Sequence, residues 1–166
     1  MKIGIIGPSK LDKGKKMTKM VGEIAEIVSK KNVSIIISPD KNSTAELFAS
    51  EFKKRNGKII GIDYKDDTDL GYAGLNREIC DELISCETWE NQPKYLVKNS
   101  DVLIVLGLSV GVTWEICLTK FYWSYPKQRI FIIKELVSDK LPKILNKSLS
   151  IEYISYKQLK NKLNLI

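Results

Sequence analysis

The chain has 166 residues, long enough to bury one core without disulfide or metal staples, and its 43% hydrophobic and 28% charged residues exclude disorder and fibrous repeats. With no histidine, and with Cys80, Cys86 and Cys117 in neither zinc nor redox spacing, histidine-based nucleophile pairs are excluded and neither a metal nor a cofactor is expected. The net charge of +7 is uneven, eight lysines against three acids in residues 1–31 and nine acids against two bases in residues 63–90, a polarity suited to steering an anion.

Residues 2–7 (KIGIIG) form a short apolar strand, with no charged leader ahead of a long apolar run, and a helix follows over 11–31 on the spacing of Met17, Met20, Val21, Ile24, Ala25, Ile27 and Val28. Residues 33–38 (VSIIIS) are a second strand. Ala45, Phe48, Ala49 and Phe52 share one face of a helix over 43–56 that Gly57 ends. Residues 58–63 (KIIGID) are the third strand, and the acidic stretch 64–75 is a loop. A strand over 81–86 and a helix over 89–99 lead to 101–106 (DVLIVL), a continuous apolar run of the kind found in parallel sheets covered on both faces. Residues 111–124 form a helix with Trp114, Cys117, Leu118 and Phe121 on its buried stripe. A strand over 128–133, a helix over 134–146, an edge strand over 151–155 and a closing helix over 156–163 complete the chain.

Strands alternating with helices predict a single α/β domain of Rossmann-like, doubly wound type, its sheet mostly parallel with helices on both faces. No stretch approaches the ~20 apolar residues of a membrane span, so a cytoplasmic protein with no membrane partner is expected. In such a sheet the ligand binds outside the carboxyl ends of the strands where the strand order reverses. The loops that matter are those after Gly7, Ser38, Cys86 and Leu106.

After the first strand, Gly7, Pro8, Ser9 and Lys10 let backbone amides approach an anion, with Lys13, Lys15 and Lys16 close behind. After the second, Ser38, Pro39 and Asp40 open a turn-forming run that also supplies a helix cap at Asn42 or Ser43. The segment 106–116, LGLSVGVTWEI, joins the most apolar strand to a helix through Gly107, Ser109, Val110, Gly111, Val112 and Thr113. It turns unpaired N–H groups and the positive end of the helix dipole toward the sheet edge, where a phosphate would settle. Glu115 lies about one turn inside that helix, within reach of sugar hydroxyls or a reacting water.

In order, these segments (a strand ending in glycine, SPDKNSTAELFASEFKKRNGKIIGI, then DELISCETWENQPKYLVKNSDVLIVLGLSVGVTWEI) resemble the Lonely Guy (LOG) family, once misnamed lysine decarboxylases, and the wider SLOG Rossmann-like superfamily, over about residues 2–135. The family's G-A-x-x-x-G-G-x-V-I-G-I segment ends here as Asn56-Gly57-Lys58-Ile59-Ile60-Gly61-Ile62. Its Ser-Asp pair is Ser100-Asp101, and counting back puts its arginine at Gln92. Its P-G-G-x-G-T-x-x-E signature falls on residues 107–115, keeping Gly111 and Glu115 and losing two glycines and the threonine.

The resemblance implies binding of a nucleotide-like small molecule and cleavage of the N-glycosidic bond of a nucleoside 5'-monophosphate, with Glu115 catalytic. Gln92 cannot supply the arginine's charge, so catalysis is expected to be weak or lost, leaving a non-catalytic nucleotide sensor or carrier as the alternative. The nucleoside deoxyribosyltransferases carry a similar G-x-x-x-E turn but match less of the chain. Nucleic acid is the least expected partner. A homodimer is implied by the resemblance, with the Phe121-Tyr122-Trp123 run and Trp89 as either interface or core.

Overall fold

The computed structural model describes residues 1–10, 14–65, 74–123 and 128–166. Seven strands form one sheet in which every neighbouring pair is parallel: β1 (Lys2–Ile6), β2 (Ser34–Ile37), β3 (Lys58–Tyr64), β4 (Glu82–Cys86), β5 (Val102–Val105), β6 (Arg129–Ile133) and β7 (Ile151–Ile154), in the order β4-β3-β2-β1-β5-β6-β7. Six helices accompany them: α1 (Lys15–Ser29), α2 (Thr44–Lys53), α3 (Gln92–Lys98), α4 (Val110–Tyr122), α5 (Lys143–Ser148) and α6 (Tyr156–Leu163).

The strands are apolar on both sides because both faces are covered, and the period of two sorts their side chains between two cores. Ile3, Ile5, Ile35, Ile37, Val102 and Ile104 face α1, α2 and α6, whereas Ile6, Ile36, Leu103 and Val105 face α3 and α4. The chain leaves edge strand β4 through α3 and re-enters beside β1 as β5, which makes the β1/β5 seam the point where the strand order reverses.

Two elements differ from the sequence expectation. The helix over 134–146 is instead a single 3-10 turn (Lys134–Leu136), an irregular stretch and the short α5. Pro142 has no N–H and disfavours helix in the residue before it, so the helix starts only after it. The buried stripe of α4 is also rotated: Val112, Ile116 and Thr119 are buried, while Trp114 is 40% and Phe121 78% exposed. This helix is apolar on nearly every side, so periodicity carried no information about its inward face.

Of the aromatic run at its end, Trp123 belongs to the core, 6% exposed with its indole N–H donating to the Val97 carbonyl at 2.8 Å. The expected helix start at residues 11–13, Lys13, most of the 64–75 loop and Ser124 lie outside the described residues. No helix among the described residues is long and apolar enough to cross a membrane.

Candidate functional site

At the carboxyl ends of the strands lies a cavity of about 300 Å³, at the lower end of the range for small-molecule sites. Four of the strand-to-helix connections and the end of β3 build it.

The loop after β1 contributes Gly7 and Ser9. It lies tightly on the first turn of α2: the Thr44 amide donates to the Pro8 carbonyl at 3.1 Å, and a Cβ on Gly7 would stand 3.0 Å from that of Thr44.

After β2, Ser38 and Asp40 line the cavity while Pro39 is buried behind them. Asp40 is held by a backbone bridge to Leu75, flanked by Lys41 N–H to Gly74 O (2.9 Å) and Asn76 N–H to Pro39 O (2.7 Å). Asn42, in the left-handed region at φ 63°, turns the chain into α2. There Ser43 Oγ accepts from the Glu46 amide at 3.0 Å, and the Glu46 carboxylate accepts from the Asn42 amide at 2.6 Å, a reciprocal cap. Glu46 also accepts from Asn76 Nδ2 at 2.7 Å, so both segments beside Asp40 are tied to one carboxylate.

Tyr64 closes β3, and Trp89, Gln92 and Pro93 enter from the 3-10 turn Trp89–Asn91 and the start of α3. Gln92 is 6% exposed, and its Nε2 donates to the Ile62 carbonyl at 2.8 Å.

The loop after β5 passes through Gly107 at φ 147°, where a Cβ would stand 2.7 Å from Pro8 Cδ. Ser109 caps α4, its Oγ accepting from the Val112 amide (3.2 Å) and its carbonyl from the Thr113 amide (2.9 Å). The first two amides of the helix, those of Val110 and Gly111, are left without an intrahelical acceptor. Both residues line the cavity, and a Cβ on Gly111 would meet nothing nearer than Ser109 Oγ at 3.9 Å.

Glu115 projects into the same cavity from the second turn of α4. Enclosure pushes its carboxyl up from 4.5 to about 8, with the negative charge of Asp40 as the second cause. Asp40 itself is pushed up from 3.8 to about 6, first by burial and then by Glu46. At pH 7 the pair therefore holds a protonated Glu115 beside a largely ionised Asp40. No lysine or arginine among the described residues lines the cavity, and no group of Cys, Asp and Glu among them is placed to hold a metal ion.

Of the residues singled out from sequence, Gly7, Ser9, Ser38, Asp40, Gln92, Ser109, Val110, Gly111, Val112 and Glu115 line this one cavity. Pro8, Pro39 and Gly107 shape the backbone around it without lining it. Lys10 is exposed and does not line it. Thr113 turns away, its hydroxyl donating to Ser109 O at 2.8 Å beside a separate depression with Leu108 and Leu141. Sequence reasoning missed Tyr64, Trp89, Pro93 and Trp114 as lining residues. Tyr64 directly follows β3 and was within reach of the strand-end rule, Trp89 and Pro93 flank the loop after β4, and Trp114 adjoins Glu115.

The profile of the SLOG cluster4 family matches residues 1–160. No curated protein matches the sequence. Among solved structures, the molybdenum cofactor (Moco) carrier protein of Chlamydomonas reinhardtii is similar at 15% identity and TM-score 0.76, over 99% of this chain and 95% of that one. The molybdenum cofactor binding protein of the phototrophic bacterium Rippkaea orientalis is similar at 17% identity and TM-score 0.74, over 99% and 95%. DNA processing protein A of Helicobacter pylori, described for its single-stranded DNA binding mode, is similar at 14% identity and TM-score 0.65, over 99% and 80%. At these identities the likeness is one of fold.

Proposed function

The chain belongs to the SLOG cluster4 family, and from that premise we propose that its cavity binds a small phosphorylated heterocycle of nucleotide type. The phosphate lies against the Val110 and Gly111 amides and the ring among Tyr64, Trp89 and Trp114. The observation that carries the reading is that the uncapped amides of α4, at the positive end of its dipole, open into the same cavity as these aromatic side chains. The molybdenum cofactor carrier protein and the molybdenum cofactor binding protein that share this fold lend support to binding without turnover. A carrier needs a cavity and no second catalytic group.

Thermal unfolding with nucleoside monophosphates, against ribose 5-phosphate and inorganic phosphate, tests this. A ligand at 100 times its Kd stabilises the fold by about 2.7 kcal/mol, raising Tm by roughly 5 to 10 °C in a chain of this size. No shift with any phosphorylated heterocycle refutes it.

A second reading, hydrolysis of the N-glycosidic bond, is favoured by Glu115 alone: a carboxyl that holds its proton at pH 7 inside a cavity is suited to protonating a leaving base. Release of free base from a nucleoside monophosphate tests it, and equal turnover by Glu115→Gln removes Glu115 from the reaction.

The proposal extends to a single-domain cytoplasmic protein acting as a homodimer. With Trp123 in the core, the exposed Phe121 and Tyr122 are what the end of α4 offers a second copy.

A further inference from the structure

The polar side chains of the cavity divide unequally between donors and acceptors. Ser9, Ser38, Ser109 and Tyr64 bring hydroxyls, which serve either way, the indoles of Trp89 and Trp114 can only donate, and no lysine or arginine among the described residues reaches the lining. Asp40 and Glu115 are carboxyls. The decisive group is Gln92, 94% buried by its 6% exposure, whose amide orientation is not free to flip: Nε2 donates to the Ile62 carbonyl, which can only accept. With one N–H of the nitrogen held there, the carbonyl oxygen of Gln92, for which no donor is found among the described residues, stays available as an acceptor.

Three side chains with acceptor oxygens, from the loop after β2, the start of α3 and the second turn of α4, therefore line one space with Tyr64, Trp89 and Trp114. These acceptors are reached by water in the open cavity, and a ligand that displaces that water without replacing its hydrogen bonds loses free energy, so a ligand that brings N–H groups of its own is favoured.

We propose that Asp40, Glu115 and the Gln92 carbonyl oxygen read the exocyclic amino group of the bound heterocycle, so that the ligand class is an amino-bearing nucleobase and not its amino-free counterpart. This rests on the reading of the cavity as a nucleotide-type site. The chemistry of the pair fits it in either protonation state. In every amino nucleobase the carbon bearing the amino group is also bonded to a ring nitrogen. An ionised carboxylate accepts N–H from that edge, and a protonated carboxyl accepts from the amino group while donating to an unprotonated ring nitrogen.

The test is isothermal titration of the full chain with two matched pairs. GMP and IMP differ only by the amino group, and CMP and UMP exchange amino for oxo at the same ring position. GMP is expected to bind tenfold or more tighter than IMP, and CMP tenfold or more tighter than UMP, because a site built to hydrogen-bond a group rejects the analogue without it. Asp40→Asn keeps the size of the side chain but turns one acceptor into a donor, and brings both ratios below about threefold. Should that variant not fold, judged by circular dichroism, Glu115→Gln takes its place, and the wild-type ratios decide on their own in any case. Equal affinities within each pair, or tighter binding of IMP and UMP, overturn the inference and leave nucleotide binding standing. A folded protein that binds none of the four overturns the nucleotide-type reading, and the inference with it.

Discussion

Replacing Glu115 by glutamine keeps the shape of the side chain and removes the one proton that folding holds most tightly. In the folded protein the carboxyl rises from 4.5 to about 8, so the folded state binds this proton better than the unfolded chain. Its contribution to stability is complete below pH 4.5 and is lost as pH climbs to 8, where the carboxylate is ionised in both states and its enclosure beside Asp40 works against the fold. Taken whole, such a rise corresponds to on the order of 5 kcal/mol. Glu115 is only half-buried and its cavity opens to solvent, so water relieves part of this, leaving on the order of 2 to 3 kcal/mol. Glutamine does not titrate. Glu115→Gln should therefore gain on the wild type by up to about 1.4 kcal/mol per pH unit between pH 5 and 8 and hold a constant lead above pH 8. At pH 9 that lead appears as roughly 4 to 12 °C in Tm relative to the difference at pH 4.5. Urea unfolding of both proteins at unit pH steps from 5 to 9 measures it. Stability profiles that run parallel, within about 0.5 kcal/mol over the whole range, mean that the carboxylate ionises as freely as in water and that the enclosure argued for it is wrong.

Gly107→Ala forces a side chain into a left-handed backbone 2.7 Å from Pro8 Cδ, and should cost about 1 to 3 kcal/mol in urea unfolding; an unchanged midpoint contradicts that packing. Gly111→Leu meets open space and should leave Tm within about 2 °C while covering the α4 amides and abolishing the thermal shift given by phosphorylated ligands. Trp123→Ala empties a core position and removes the indole donor to the Val97 carbonyl, which keeps the Ser100 amide, at about 3 to 5 kcal/mol. Phe121→Glu, at an exposed position, should leave stability within about 0.5 kcal/mol and shift a dimer toward monomer by light scattering; an unchanged mass removes this end of α4 from any interface.

The sheet was legible because its strands are short apolar runs separated by helical periods, a pattern that survives without knowledge of tertiary contacts. The α2 cap was legible as Asn42 or Ser43, since capping acts through local backbone bonds, and Ser43 takes the role. What failed was information that the local pattern does not contain. In α4, Trp114 and Phe121 are as apolar as Val112 and Ile116, and only the position of β5 and α3 decides which of them turn inward. The proximity of Asp40 to Glu115, 75 positions apart in sequence, follows from β1 lying between β2 and β5 with all three strands parallel. No spacing rule reports that. The lysines of the first loop were read as phosphate partners from closeness in sequence, yet Lys10 is exposed away from the lining.

That last difference changes how an anion could be held. A site that recruits lysines neutralises a phosphate with mobile, salt-screened charge, whereas this cavity presents fixed amide dipoles and two carboxyls on the opposite account of charge. Carboxylates and phosphate repel, and the conflict is eased to the extent that the acids give up charge. Enclosure does this for Glu115 and works in the same direction on Asp40, where the neighbouring Glu46 adds to it. The anchoring of Glu46 by Asn42 and Asn76 thus serves more than the helix cap: it fixes a negative charge behind Asp40 that adds to the rise of its carboxyl. In the proposed mode of binding, the cavity offers amides to an anion at one end and hydrogen-bond acceptors to a heterocycle at the other, with no lysine or arginine of the described residues between them.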